Sequence, residues 1–381
     1  MPLKTTAAKP KATRKSRVVT PQRATPYMVT DLAVVRQSVR NFQTALPKVA
    51  LHYAIKANRD PRVIRTINSM VDGYDIASLG ELNILLSLGI KPDRILYSNP
   101  VKIPAHIKAA YKLGVRYFAF DSLTEIEKLA KYAPGSNVYL RLKVSDYGSL
   151  FPLSKKFGVG PLHGADFCSI AQEAGLKVKG VTFHVGSQSE NVQVWETALE
   201  IAGKLIAHLA DRGIQIEFLN LGGGFPADYG EPVAKLTDIA KTINKSVKKH
   251  IPAYVKLMAE PGRSLVASST TLVTTVIGRE HRSGSDWLYL DMGAFQGLIE
   301  PLEIPNLKYP VRTDKNPNGY EKSFVLTGPT CDAYDTIGTD YSLPSDISVG
   351  DKLYIDAVGA YTLVYASAFN GFEPPKNYFI N

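Results

Sequence analysis

With 381 residues, 45% of them apolar and 21% charged, the chain has the composition of an ordinary soluble globular protein, longer than one typical domain unless a barrel takes the first ~250 residues. No stretch approaches the ~18 uninterrupted apolar residues of a membrane span, and two cysteines, Cys168 and Cys331, are too few for a disulfide framework, which favours a reducing, cytoplasmic compartment. The net charge of +10 invites a nucleic-acid reading, but its placement argues against a specific one.

Lys4, Lys9, Lys11, Arg14, Lys15, Arg17 and Arg23 occur with no acidic residue before Asp31. The positive excess is therefore concentrated in a tail, residues 1–24, rich in Thr, Ala, Pro and Lys. It has no apolar core of the secretory type and no clear amphipathic helix of a transit peptide. It cannot bury enough apolar area to offset its ordering entropy, so it is expected to be disordered. Contact with anionic polymers through its charge would be non-specific.

From residue 31 to 263 short apolar strands alternate with helical periods. The strands are expected over 49–55, 74–78, 94–98, 117–120, 138–144, 180–185, 217–222 and 256–260. Amphipathic helices are expected over 62–70, 80–88, 103–113, 122–132, 192–211 and 233–249. Asp31 can cap a further helix that carries Val34, Val35, Val39, Phe42 and Leu46 on one side. Gly89, Gly114, Gly175 and Gly213 stand where helices should stop. Eight strands with helices between them predict an α/β fold, a (β/α)₈ barrel over 25–265 rather than an open doubly wound sheet. Beyond Leu265 come β-branched and aromatic runs, 270–277, 287–290, 324–326 and 352–355. They predict an antiparallel β domain, a sandwich or barrel, over 266–381.

Barrels of this kind place their chemistry at the C-terminal ends of the strands. Lys56 follows the first strand, Asp75 lies in the second with Glu81 just beyond, and Arg141 lies in the fifth. His184 ends the sixth, Gly222-Gly223-Gly224 follows the seventh, and Glu260-Pro-Gly-Arg263 follows the eighth. A lysine closing a strand commonly snorkels to water, and one glycine would serve a tight turn. Three glycines let backbone N–H groups approach an anion; with Gly262 and Arg263 on the next loop, they predict a phosphate cradle. Glu260 ends the apolar run Val255–Ala259, and a buried carboxylate there needs a partner, either Arg263 or a ligand cation. His184 taken alone reads as a satisfied core histidine.

Five segments occur in order: Tyr53-Ala-Ile-Lys-Ala-Asn58, His184-Val-Gly-Ser187, Leu221-Gly-Gly-Gly-Phe225, Ala259-Glu-Pro-Gly-Arg263 and Gly328-Pro-Thr-Cys-Asp332. From about Tyr27 to the C-terminus the chain thus resembles the ornithine/diaminopimelate/arginine decarboxylase family, fold type III pyridoxal-phosphate enzymes with an alanine-racemase-like barrel. The resemblance implies pyridoxal 5'-phosphate held by Lys56 as a Schiff base, with Glu260 keeping the ring nitrogen protonated and His184 stacked on the ring. It implies that Ser187, Gly224, Gly262, Arg263 and Tyr361 contact the phosphate. Asp75, Arg141, Gly222 and Gly223 are assigned to the cofactor as well, and no metal is expected. Cys331 would return a proton to the α-carbon, from the other subunit of a homodimer with shared sites. A strand from 25–31 would join the β domain.

The substrate follows from finer features of the same resemblance. Cys331-Asp332-Ala333 stands where diaminopimelate decarboxylases carry Cys-Glu-Ser, and Asp332 would receive a distal ammonium. Gly359-Ala-Tyr361 and Phe369-Asn-Gly-Phe372 look like the ornithine side, which assigns Tyr361 and Phe369 to the substrate. Pro152-Leu-Ser-Lys-Lys-Phe-Gly158 is close to bacterial members, with Lys156 matching a lysine near the site. Bacterial ornithine-type members carry Asp where this chain has Glu303, which is either a solvent-facing loop acid or a longer acid in the pocket. The expected function is decarboxylation of a basic L-amino acid, ornithine or lysine, to a diamine and CO₂ for polyamine synthesis. Arginine or an unusual diamino acid, a racemase, and a non-catalytic decarboxylase-like regulatory or cofactor-carrying protein stay open. A racemase would need a second base opposite Lys56, and a mimic should have lost Lys56, Glu260 or the glycines.

Overall fold

The computed structural model describes residues 23–304, 307–315 and 320–381. The tail expected over 1–24 lies outside them, apart from Arg23 and Ala24. Eight parallel strands close a barrel: Val49–Ala54, Gly73–Ile76, Ile95–Tyr97, Tyr117–Phe120, Asn137–Arg141, Lys177–Thr182, Phe218–Asn220 and Lys256–Ala259, with the last paired to the first. Each strand lies within a few residues of the run that predicts it, because buried parallel strands read as continuous apolar stretches.

Several helices of the barrel begin at side-chain caps. Asp31 Oδ1 accepts the Ala33 N–H at 2.8 Å, and Asp60 Oδ1 accepts that of Arg62 at 2.8 Å. Ser78 and Glu81 form a reciprocal box, with Ser78 Oγ accepting from Glu81 N–H and Glu81 Oε2 from Ala77 N–H. Helix Gln193–Asp211 stops at Gly213, whose φ of +76° reverses the chain where a side chain would be strained. Among the described residues no helix is long and apolar enough to cross a membrane.

One barrel helix carries too weak a pattern to be seen in sequence: Gly164–Glu173, whose buried residues are Gly164, Ala165, Cys168 and Ala171. Small side chains pack it without making an apolar stripe. Ahead of it a long loop crosses the barrel mouth. Asp146 organises this loop, with Oδ2 accepting from the N–H groups of Leu153 and Ser154 at 2.7 Å each. A short strand in the loop, Ser149–Phe151, pairs with Ser187–Ser189.

The second unit is an eight-stranded sheet of Tyr27–Asp31, Thr270–Arg282, Ser285–Leu290, Val311–Thr313, Glu321–Thr327, Thr336–Pro344, Lys352–Ile355 and Lys376–Ile380. It is mostly antiparallel, but Tyr27–Asp31 with Lys376–Ile380, and Ser285–Leu290 with Glu321–Thr327, run parallel. Local runs of β-formers say nothing about strand direction, which depends on connections visible only in three dimensions. One apolar core joins the units: Val35, Val39 and Phe42 belong to the same cluster as barrel residues such as Leu51 and sheet residues such as Leu272.

Inside the barrel Leu96, Ala119, Tyr139 and Phe218 form a separate layer. Gly180 faces that layer, and a Cβ there would come within 2.4 Å of the Phe218 ring. Gly180→Ala is therefore expected to destabilise the fold by ~1–3 kcal/mol through overpacking, read as a lower urea midpoint. An unchanged midpoint would show that the layer has room to give.

Candidate active site

The C-terminal rim of the barrel opens into a cavity of about 720 Å³, a size suited to a small cofactor with its substrate. Lys56, Arg141, His184, Ser187, Glu260, Arg263, Glu303 and Tyr361 line it. Asp75 reaches it through Lys56, whose Nζ donates to Asp75 Oδ2 at 2.6 Å. Burial opposes charge on this amine, but the Asp75 carboxylate, helped by Tyr361 and Glu260, overcomes that and holds the ammonium above the ordinary lysine range. The second Asp75 oxygen is buried without a partner.

Glu260 is built differently. Its Oε1 accepts from both Ser98 Oγ and Asn220 Nδ2, the latter at 2.7 Å, and Ser98 Oγ shares a 2.7 Å hydrogen bond with the Tyr139 hydroxyl. Its Oε2 takes no hydrogen bond from the described residues. Burial, and then the negative charge of Asp75, push the carboxyl up to about 7, with Lys56, Ser98 and Asn220 opposing. Of the two partners open to Glu260, Arg263 is taken by Glu300 instead. Glu260 is left with one oxygen for a cation that the chain does not supply.

His184 Nδ1 accepts the Gly186 N–H at 3.1 Å. Burial, together with the charges of Arg141 and Lys56, lowers its pKa well below the usual value. It is a neutral ring on the cavity wall, suited to stacking rather than to carrying a proton. The glycine run is held largely by its packing against this segment. A Cβ on Gly222 would fall 2.0 Å from Phe183 O, one on Gly223 2.9 Å from His184 Nε2, and one on Gly224 2.5 Å from Gly186 O. The three glycines thus stand where only backbone can pass.

Arg263, expected at a phosphate, lines the cavity with most of its guanidinium donors engaged by protein. Nη1 and Nη2 donate to Glu300 Oε2 and Oε1 at 2.7 and 2.5 Å, Nη1 also to the Tyr229 hydroxyl at 2.7 Å, and Nε to Ser187 Oγ at 3.3 Å. The N–H donors of Arg141, by contrast, have no hydrogen-bond partner among the described residues; its guanidinium lies 4.8 Å from the Phe157 ring centroid. Glu303 sits at the end of the one-turn helix Glu300–Glu303, and its carboxylate makes no hydrogen bond or ion pair among the described residues. It borders the cavity while staying exposed to solvent. Lys156 lines the same wall.

Three expected residues lie elsewhere. Cys331 is exposed, with Sγ 3.4 Å from Asn370 Oδ1; Asp332 Oδ1 accepts the Tyr334 N–H at 2.8 Å; and Phe369 packs on Phe295 at 4.7 Å between ring centroids. Cys331 and Asp332 lie on the loop between Glu321–Thr327 and Thr336–Pro344, Phe369 on the short helical turn Phe369–Gly371, and none of the three borders the cavity of its own chain. Sequence reasoning missed Ser98, Asn220, Tyr229 and Glu300. Asn220 offered a signal, a polar residue closing a buried barrel strand. Among the described residues no group of three His, Cys, Asp or Glu could hold a metal ion.

These donors and acceptors fit a flat ring with a basic ring nitrogen and an anionic arm. The free Glu260 oxygen suits the nitrogen, His184 suits the ring face, and the Ser187 and Tyr361 hydroxyls suit the arm. A family model described as "Pyridoxal-dependent decarboxylase, pyridoxal binding domain" matches residues 32–267. The chain is 34% identical to a lysine/ornithine decarboxylase of Selenomonas ruminantium, over 91% of this chain and 88% of that one. A solved lysine/ornithine decarboxylase of Vibrio vulnificus, complexed with cadaverine, is 33% identical with a TM-score of 0.86, covering 94% of this chain and 96% of that one. The solved arginine decarboxylase of Paramecium bursaria Chlorella virus is 27% identical with a TM-score of 0.88, covering 94% and 96%.

The raised Glu260 has a consequence for the cofactor-free protein. Between pH 4.5 and about 7 the folded chain binds more protons at this group than the unfolded chain does, so stability is lost as pH rises through that window. Glu260→Gln lacks this loss. Relative to the variant, the wild type should melt progressively lower from pH 4.5 to 7, and parallel melting curves would show that Glu260 is not held protonated by its site.

Proposed function

The chain belongs to the pyridoxal-dependent decarboxylases, and from that membership we propose that it removes the α-carboxyl of a basic L-amino acid, ornithine or lysine, to give a diamine and CO₂. The observation that carries the reading is a single cavity whose wall holds the Lys56 amine on Asp75, the half-satisfied Glu260 and the unpaired acid Glu303. When bound, pyridoxal phosphate supplies an electron sink for the pair left at the α-carbon as CO₂ departs.

The protein's own residues do the rest. Lys56 would hold the cofactor, and Asp75 takes up and orients the amine whenever it is protonated. Ser98 and Asn220 fix Glu260 by one oxygen, so that the other keeps a proton on the ring nitrogen. His184 supports the ring face, and Ser187, Tyr361 and the backbone of the glycine loop receive the phosphate. Phe151, Pro152 and Leu153 of the mouth-crossing loop wall the cavity and reduce its water. Glu303 offers the distal ammonium a fixed carboxylate, a contact of ~1.5–3 kcal/mol for a charged hydrogen bond. Arginine is the second reading, because an acid one methylene longer than Asp can re-aim toward a planar guanidinium.

Cys331, Asp332 and Phe369 face outward beside the exposed Tyr334 and Phe372. They suit a homodimer in which they complete the cavity of a second copy, Cys331 as the proton donor to the α-carbon and Asp332 as a second acid for the distal cation. The reducing character of the two free thiols suits a cytoplasmic enzyme.

Lys56→Ala should lower CO₂ release from ornithine and lysine by several orders of magnitude. In the same assay, arginine and meso-diaminopimelate should be poorer substrates than ornithine or lysine; near-wild-type turnover by the variant would remove the central assignment. Mixing inactive Lys56→Ala with inactive Cys331→Ala protein should restore up to about one quarter of the sites after random subunit exchange. Exchange without recovery would place both residues in one subunit's site, or Cys331 outside it.

A further inference from the structure

Resting on the reading of Glu303 as the acid that meets the substrate's distal cation, we propose that Glu300 is a specificity-positioning residue, which fixes the orientation of Glu303 by clamping their shared helix to Arg263. The helix Glu300–Glu303 is a single turn. Its own backbone provides little, with Leu302 N–H donating to Ile299 O and Ile304 N–H to Glu300 O, and one turn of helix does not hold itself in place. What holds it is Glu300. Its two oxygens accept from Arg263 Nη1 and Nη2, and both side chains are almost wholly buried, 5% and 3% exposed.

Arg263 is in turn a rigid anchor. It stands directly after Gly262 at the end of the eighth barrel strand, with its guanidinium 4.6 Å from the Tyr361 ring centroid, 4.9 Å from that of Phe151, and hydrogen-bonded to Tyr229. Glu303 follows Glu300 at a spacing of three, so the two acids project from neighbouring positions on one helical face, and both line the cavity. One acid is locked and the other is unpaired.

A buried ion pair seldom outperforms an apolar pair of the same volume as a source of stability, but a bidentate one has a defined geometry. Here that geometry links the barrel loop beside the expected phosphate cradle to the segment that reads the far end of the substrate. It also offsets part of the Arg263 charge beside the expected phosphate cradle. The two effects of removing the Glu300 charge therefore have opposite signs. The substrate acid loses its aim, while the anion cradle gains a free cation.

The test compares Glu300→Gln, Glu300→Asp and Glu303→Gln as full-length holoenzymes. Three quantities are read: KM and kcat for ornithine, lysine and arginine; the cofactor dissociation constant, from loss of its absorption band on dilution; and the melting temperature. Glu300→Gln should raise KM for the best substrate about 10-fold with a smaller change in kcat, and should shift the ornithine:lysine:arginine ratio of kcat/KM. Its cofactor dissociation constant should stay the same or fall. Glu300→Asp, which keeps the charge, should move the substrate ratio less, and it carries the test by the same ratio if the Gln variant does not fold. Parallel weakening of cofactor and substrate, or an unchanged ratio in both Glu300 variants, would overturn the proposal. Glu303→Gln separates this from its premise. If it shifts the ratio while the Glu300 variants do not, only the clamp is wrong; if it leaves the ratio fixed, the reading of Glu303 falls, and the clamp with it.

Discussion

Carboxylates in a desolvated barrel mouth must each find a compensating donor, and the way each one does so sets what the site can do. Asp75 takes the Lys56 ammonium, and Glu300 takes both ends of the Arg263 guanidinium. Each of these two acids has a cation of the protein fixed against it. Glu260 receives only neutral donors, and both arrive at the same oxygen. Two hydrogen bonds offset part of its desolvation and leave the remainder, which is why its carboxyl is pushed up to about 7. The barrel mouth thus contains two acids matched by cations of the protein and one, Glu260, that receives only neutral donors.

Much of this architecture is legible in the amino-acid order because parallel strands buried on both faces leave continuous apolar runs, and barrel chemistry collects where those runs end. Lys56, Arg141, His184 and Glu260 are visible on that ground. The supporting residues are not. Ser98 and Glu260 are 162 positions apart, Asn220 and Glu260 are 40 apart, and Ser and Asn close many strands without consequence. The partner of Arg263 was equally hidden, since Glu300 comes from the segment that leads out of the β domain's sheet, where its spacing to Arg263 has no local meaning.

Other misses have their own causes. The helix Gly164–Glu173 packs through Ala and Cys rather than Leu or Ile, so its periodicity is faint. The assignment of Cys331 and Asp332 to another copy's cavity rests on the likeness to a family and not on composition. Glycines 222–224 were correctly singled out as unusual, but the geometry gives them a second reason, close passage against Phe183, His184 and Gly186.

The strand Tyr27–Asp31 lies between Thr270–Arg282 on one side and Lys376–Ile380 on the other. Its buried Thr30 hydroxyl bonds a residue 240 positions away. The barrel is therefore an insertion within the sheet domain, and the first described strand is synthesised long before either neighbour exists. During that interval both its edges are unpaired, a state that invites wrong strand partners, and the closing contacts are among the most distant in the chain, which slows assembly. Biogenesis of this enzyme is thus a problem of waiting: the sheet that completes the molecule can close only when its last strand arrives.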